Sequence, residues 1–509
     1  AQPRRAGPPR GGPVRGGLMV CGTASDVGKS HLVTGLCRLL ARRGVRVAPF
    51  KAQNMANNSF VTPSGHEIGR AQGVQALAAG APPEVAMNPV LLKPTGERTA
   101  QLVVMGEPRA HLTAAEYHEA KLDLFPTVLD SLAGLRRRFD VVVCEGAGSP
   151  AEINLADRDI VNLRLAEAAG VPALVVGDID RGGVFAALHG TLALLPGGQR
   201  RLVRGLVINK LRGDPALLGD ALAELERRCG VPTLGVLPWA TGLGLDAEDS
   251  LALGTMAPVA PPPGNGNSAA DGLDVAAIRL PRISNFTDLD PLSLEPALGL
   301  RLVDRAAALG DPDLVIIPGT KTTVADLAWV RERGLDRALA RCRRRGSVVL
   351  GICGGYQMLG GTITDTVESG HGTVAGLGWL GVDTTFSPAK VTRARRGTAL
   401  GHPVAGYEIH HGVTQRQPGT DGWVDLDDGP EGATDRAVFG TSLHGLFESD
   451  GFRAAFLAEV ARRRGRRFTP APATFAAARQ AQFDRLADLV EAHLDVGRLE
   501  AIIAEGAPA

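Results

Sequence analysis

Short apolar runs recur along the first half of the chain, at residues 18–21, 45–50, 141–144, 172–177, 203–208 and 233–237, and stretches with helical apolar spacing separate them. Runs this short and this continuous read as strands buried on both faces, and their alternation with helices predicts a doubly wound parallel α/β sheet. A second series, at 273–280, 313–317, 347–352, 404–409 and 437–443, follows the same rule, with more hairpin-like spacing between 376 and 443. Between the two series lies MAPVAPPPGNGNSAADG at 256–272, which has no apolar periodicity and predicts a linker. Residues 470–503 carry helical apolar spacing at Phe475, Phe483, Leu486, Leu489, Val490 and Leu494, the pattern of a docking helix. The opening AQPRRAGPPRGGPVRG lacks the apolar core of a signal peptide and reads as a disordered leader. The expected division is therefore a leader (1–16), a first domain (17–255), the linker (256–272), a second domain (273–465) and a helical extension (466–509).

Length supports more than one core, since 509 residues exceed what a single ordinary domain buries. Charge is balanced, with 55 Lys and Arg against 54 Asp and Glu and a formal net charge of +1, so nothing directs the chain as a whole toward nucleic acid. Six cysteines without paired spacing fit a reducing cytoplasm better than a disulfide framework or a zinc site. No apolar stretch approaches the roughly 20 residues needed to span a bilayer, and no membrane association is expected.

Two chemical signatures stand on these strands. In GLMVCGTASDVGKSHLVTG the strand at 18–21 feeds a loop from Gly22 to Lys29 and then an amphipathic helix. The spacing is one residue longer than the commonest phosphate-binding loop, but its parts are present. Gly22, Thr23 and Gly28 bring backbone N–H groups to phosphates, Lys29 reaches the terminal phosphate oxygens, and the Ser30 hydroxyl can ligate Mg²⁺. A second metal ligand is expected at the end of a neighbouring strand, where Glu145 follows residues 141–144 and Asp159 lies downstream; either carboxylate could instead cap the helix that follows. The other signature is GSVVLGICGGYQMLG, in which an apolar strand runs into Cys353 and then two glycines, the pattern of a nucleophile on a tight strand-to-helix turn. N–H groups at the following helix start favour a thiolate and can receive an oxyanion. His444, in AVFGTSLHGLFE, is the best placed base.

An ATP site and a thiol nucleophile in one chain suggest two coupled half-reactions, amide hydrolysis at the Cys and carboxylate activation at the nucleotide. The motifs GTASDVGKS, PFKAQNMANNS, NPVLLKPTGERTAQLVVMG, CEGAGSPAEINL, VGDIDRGGVFA, INKLRGD, PRISNFTDLDPL, IIPGTKTT, GICGGYQMLG, GYEIHHG and GTSLHGLFE occur in this order. Through them the chain resembles the cobyric acid synthase family of corrinoid amidases, from residue 17 to about 465. The resemblance implies a dethiobiotin synthetase-like ATP-binding amide synthase domain followed by a flavodoxin-like class I glutamine amidotransferase domain. It implies ATP- and Mg²⁺-dependent amidation, with L-glutamine as nitrogen donor, of the b, d, e and g carboxylates of adenosylcobyrinic acid a,c-diamide, and cobalt only as part of that substrate. Cys353 would carry the γ-glutamyl thioester and His444 the protons, with Gly319 and Gly354 at the oxyanion hole. Lys51, Gln53 and Asn54 after the second strand, and Asp178, Asp180 and Arg181 after PALVVG, are expected to contact nucleotide or acceptor, although loop hydrogen bonding competes as an explanation for each. The rival readings are a cobyrinic acid a,c-diamide synthase, a relative amidating a cell-wall precursor, and a P-loop switch protein with a vestigial second domain. Many amidotransferases follow the catalytic His with Pro-Glu; here Gly445 and Leu446 stand instead, which leaves open what fixes the imidazole tautomer.

Overall fold

The computed structural model describes residues 14–243, 246 and 272–508, so residues 1–13 of the expected leader and all of the expected linker except Gly272 lie outside the described residues. Leu18–Cys21, Val141–Cys144 and Ala173–Val176 have essentially no exposed surface, as strands covered on both faces must. They belong to one six-stranded sheet whose order across is Thr233–Pro238, Val203–Leu211, Ala173–Asp178, Gly16–Gly22, Val141–Glu145 and Val47–Phe50, every pair parallel. Gly16–Gly22 is central, and the chain switches sides of it, which opens a crevice beyond the strands' C-terminal ends. A four-stranded sheet of Gln53–Met55, Val90–Pro94, Thr99–Val104 and Glu107–Thr113 belongs to the same half of the chain.

The second domain has its own sheet, ordered Leu298–Val303, Leu273–Ile278, Leu314–Ile317, Val348–Ile352, Val438–Thr441 and Ala433–Asp435, parallel except for the last pair. The strand Leu298–Val303 is not apparent as an apolar run, because it is an edge strand interrupted by Arg301, which pairs with Asp274 at 2.9 Å. Residues 404–409 lie within His402–Arg416, one arm of a long antiparallel ribbon with Val382–Ala399, as the hairpin-like spacing between 376 and 443 predicts. An aromatic cluster of Trp423, Phe439, Phe447, Phe452 and Phe456 fills the opposite face of the sheet.

Residues 466–475 stay bonded to the second domain, through Arg466–Asp313, Ala471 N–Glu295 and Phe475 N–Asp450. The helices Phe475–His493 and Val496–Glu505 turn back to the first, where Val490, Leu499, Ile502 and Ile503 share a core with Leu18, Val33 and Leu36. A Cβ at Gly35 would stand 2.8 Å from the Leu486 carbonyl oxygen, so the helix Lys29–Arg42 needs glycine there to be approached this closely. Arg38–Asp484 at 2.8 Å and Arg42–Asp488 at 2.6 Å border the contact. No helix among the described residues is long and apolar enough to cross a membrane.

Candidate active site

A cavity of about 1090 Å³ opens at the C-terminal edge of the first sheet. Its phosphate-loop wall is shaped by two glycines with no room for a side chain. A Cβ at Gly22 would lie 2.6 Å from Val27 Cγ2, and one at Gly28, where φ is +97°, would lie 2.2 Å from Asn209 Nδ2. Thr23 N donates to the Val176 carbonyl at 2.9 Å, holding the loop to the sheet. Lys29 lies across the loop, donating to the carbonyls of Ala24 at 2.9 Å and Gly148 at 3.3 Å.

Glu145, 1 % exposed, is the acidic centre of this cavity. Its carboxylate accepts from Ser30 Oγ at 2.9 Å, Lys51 Nζ at 2.9 Å and Gln75 Nε2 at 2.6 Å. A hydroxyl and a carboxylate meeting beside a phosphate loop are the hard oxygen donors Mg²⁺ takes. Lys51, Gln53, Asn54, Asp178, Asp180 and Arg181 line the same cavity. Asn54 donates to Gln72 at 2.9 Å, Asp178 accepts from Lys210 Nζ at 2.8 Å, and Asp180 pairs with Arg212 at 2.5 Å. Asp159 is different and does not stand with the metal ligands expected from sequence. It is not among the cavity-lining residues, and its carboxylate accepts from the backbone N–H groups of Val161 at 2.9 Å and Asn162 at 3.0 Å, a turn just ahead of the helix Leu163–Ala169 rather than a cap on it. The sequence also gave no hint that Gln482, Leu486, Leu489 and Val490 of the returning C-terminal helix close one side of the cavity.

The second centre is built on Cys353, the residue between the strand Val348–Ile352 and the helix Gly354–Leu359, with φ +51° and ψ −108°. A non-glycine residue held in this region stores strain, which marks a functional turn. Glycines let the surroundings close on it. A Cβ at Gly355 would lie 1.9 Å from the Ile317 carbonyl oxygen, one at Gly354 3.1 Å from the Thr320 backbone nitrogen, and one at Gly319 2.8 Å from His444 Cε1. Gly319 and Gly354 thus flank the Cys353–His444 pair.

His444 is 1 % exposed. The residue that sequence reasoning missed is Asp288, whose Oδ2 lies 2.7 Å from His444 Nδ1 while its Oδ1 accepts from Gly445 N at 2.7 Å. Burial alone pushes the imidazolium down, but Asp288 and the Cys353 sulfur outweigh it and raise the His444 pKa to about 10. The Tyr407 ring stacks on the imidazole at 5.4 Å, and Tyr407 and His444 exchange backbone hydrogen bonds of 3.0 and 2.9 Å. A cysteine, an imidazole and a carboxylate bonded to that imidazole are therefore brought together, the last from a different motif.

The two centres share a wall. Arg282, Ile283 and Phe286 face the large cavity, whereas Ser284 and Asn285 face a narrow one that contains Cys353. The first domain grips this segment directly: Ser59 N donates to Asn285 Oδ1 at 2.8 Å and Phe286 N donates to Asn58 Oδ1 at 3.2 Å. Arg70 bridges further, to Asp246 at 2.6 Å and Glu448 at 3.0 Å.

Residues 18–251 match the family described as the CobQ/CobB/MinD/ParA nucleotide binding domain, and residues 274–452 match the CobB/CobQ-like glutamine amidotransferase domain. The chain is 54 % identical to a cobyric acid synthase of Frankia casuarinae, over 97 % of either chain. It is 54 % identical to those of Rhodococcus jostii, over 96 % of either chain, and Nocardia farcinica, over 96 % of this chain and 97 % of the relative.

Proposed function

Because the chain belongs to the cobyric acid synthase family, ligases that carry a glutamine amidotransferase domain, we propose that it amidates the b, d, e and g carboxylates of adenosylcobyrinic acid a,c-diamide at the expense of ATP, giving adenosylcobyric acid. L-Glutamine supplies the nitrogen. The observation that carries this reading is the single segment 281–288, which walls the nucleotide cavity on one side, faces Cys353 on the other and ends in the carboxylate that holds His444.

At the second centre Cys353 Sγ attacks the glutamine amide carbon. His444 takes the thiol proton and returns one to the leaving nitrogen, while Asp288 keeps Nδ1 protonated and the ring in place. Ammonia departs, and water, deprotonated by the same imidazole, releases glutamate from the γ-glutamyl thioester. N–H groups around Gly319 and Gly354 support the oxyanion. At the first centre the acceptor carboxylate is activated by phosphoryl transfer, since ammonia does not displace a carboxylate oxygen without a better leaving group. Lys29 offsets charge on the transferred group, and Ser30 and Glu145 would hold Mg²⁺, which would neutralise phosphate charge. Lys51, Gln53, Asn54, Asp178, Asp180 and Arg181 surround nucleotide and acceptor.

The test is mass spectrometry of adenosylcobyrinic acid a,c-diamide incubated with ATP, Mg²⁺ and either glutamine or ammonium. Wild type is expected to add four amides from either source, and Cys353→Ala from ammonium alone. Folded protein that adds none from either source overturns the substrate assignment.

A further inference from the structure

The lysines and arginines that line the large cavity are, with one exception among the described residues, already engaged. Lys29 donates to the Ala24 and Gly148 carbonyls, Lys51 pairs with Glu145 at 2.9 Å, Lys210 with Asp178 at 2.8 Å, and Arg181 with Asp26 and Asp178 at 3.7 Å. The exception is Arg282, half-buried, on the segment that separates the two centres. Its backbone is anchored on both sides: its N–H donates to Asp326 Oδ2 at 3.2 Å, and its carbonyl accepts from Lys321 N and Thr320 Oγ1, each at 3.0 Å. Its guanidinium makes no hydrogen bond and no ion pair with any described residue. Asp326 feels its charge, but that carboxylate is occupied by Thr320 Oγ1 at 2.5 Å and by the Arg282 N–H, and the guanidinium stays beyond ion-pairing distance. Five N–H donors on a fixed backbone, facing a cavity, are a donor set that a planar anion satisfies.

We propose that Arg282 binds a carboxylate of the corrinoid acceptor, so that the second domain contributes a residue to the acceptor site of the first. A guanidinium takes a carboxylate through two parallel N–H···O bonds, and the acceptor of the reaction above carries four carboxylates. The nucleotide's phosphates have their own cradle at residues 22–30 of the first domain. Arg282 stands instead on the wall shared with the cavity of Cys353, two residues before Ser284. An acceptor carboxylate held there brings the corrinoid against the wall behind which ammonia is released. The inference rests on the acceptor assignment above, and it adds a recognition residue to that site.

The experiment measures amidation of adenosylcobyrinic acid a,c-diamide by wild type, Arg282→Ala and Arg282→Lys, with ammonium as nitrogen source so that Cys353 does not enter the rate. The bonds that anchor residue 282 are backbone bonds, which both variants keep, and melting temperature and ammonia release from glutamine check the fold. Arg282→Ala is expected to raise KM for the corrinoid on the order of 10- to 100-fold, the loss of a charge-assisted hydrogen-bonded pair, and to change KM for ATP less than about threefold. Arg282→Lys, which keeps the charge but not the fork, recovers part of the corrinoid KM. An unchanged corrinoid KM in Arg282→Ala overturns the proposal, as does a rise in KM for ATP of the same size, which assigns the guanidinium to phosphate. A parallel loss of ammonia release from glutamine makes the role structural and overturns it too. Wild type that amidates no corrinoid carboxylate overturns the acceptor assignment itself.

Discussion

Asp288 Oδ2 lies 2.7 Å from His444 Nδ1, although 156 residues separate the two in sequence, and Asp288 binds Gly445 N with its other oxygen. Asp288→Asn is expected to reduce glutamine-dependent amidation on the order of 10²- to 10⁴-fold, because an amide can stabilise the wrong tautomer, and to spare ammonium-dependent amidation. Steady-state assays with both nitrogen sources check this. The pair also sets a pH signature. Since folding raises the His444 pKa from 6.5 to about 10, the stabilisation it contributes is complete below about 6.5, declines as pH rises, and is gone above about 10. The difference in melting temperature between wild type and Asp288→Asn is expected to narrow across that window.

Glu145→Gln removes the charge on which Ser30 and Lys51 converge. Amidation is expected to fall on the order of 10²-fold or more with glutamine and with ammonium alike, while ammonia release from glutamine persists. Product mass spectrometry beside a glutamate assay separates the two activities. Loss with glutamine alone would remove Glu145 from the synthetase centre.

Tyr407 offers His444 a ring, and its hydroxyl donates to the Ser59 carbonyl of the first domain at 3.3 Å. Tyr407→Phe keeps the ring and is expected to hold glutaminase kcat within about threefold, whereas Tyr407→Ala lowers it roughly tenfold. If the two variants behave alike, stacking does not position the imidazole.

Arg70 has a side chain only 4 % exposed, and Asp246, its partner at 2.6 Å, is wholly buried. Arg70→Ala leaves Asp246 with Arg479 alone and breaks the bridge to Glu448, so a loss of about 3–5 kcal/mol is expected in denaturant unfolding. Arg70→Lys, which restores charge without the planar fork, is expected to recover only part.

The strands were legible wherever burial on both faces made them continuous apolar runs, as at residues 141–144 and 173–176. Leu298–Val303 is hidden because an edge strand tolerates Arg301, whereas the hairpin-like spacing between 376 and 443 shows as the ribbon of 382–399 and 402–416. Cys353 and Lys29 could be picked out because each sits in a glycine turn whose strain its neighbours advertise. Asp288 could not, since a carboxylate amid NFTDLDPL looks like a loop residue until the fold carries it to His444. Asp159 shows the converse: an acid after a strand is as well suited to a backbone turn as to a cation, and here it makes the turn.

The returning helix Phe475–His493 has a consequence for how the chain is made. Leu486, Leu489 and Val490 close the nucleotide cavity, yet they are synthesised only after the entire amidotransferase domain. On the ribosome, the first domain to emerge therefore keeps an exposed apolar flank and an open nucleotide site while the second domain folds. The wall that closes this cavity is thus among the last parts of the chain to arrive, after the whole second domain.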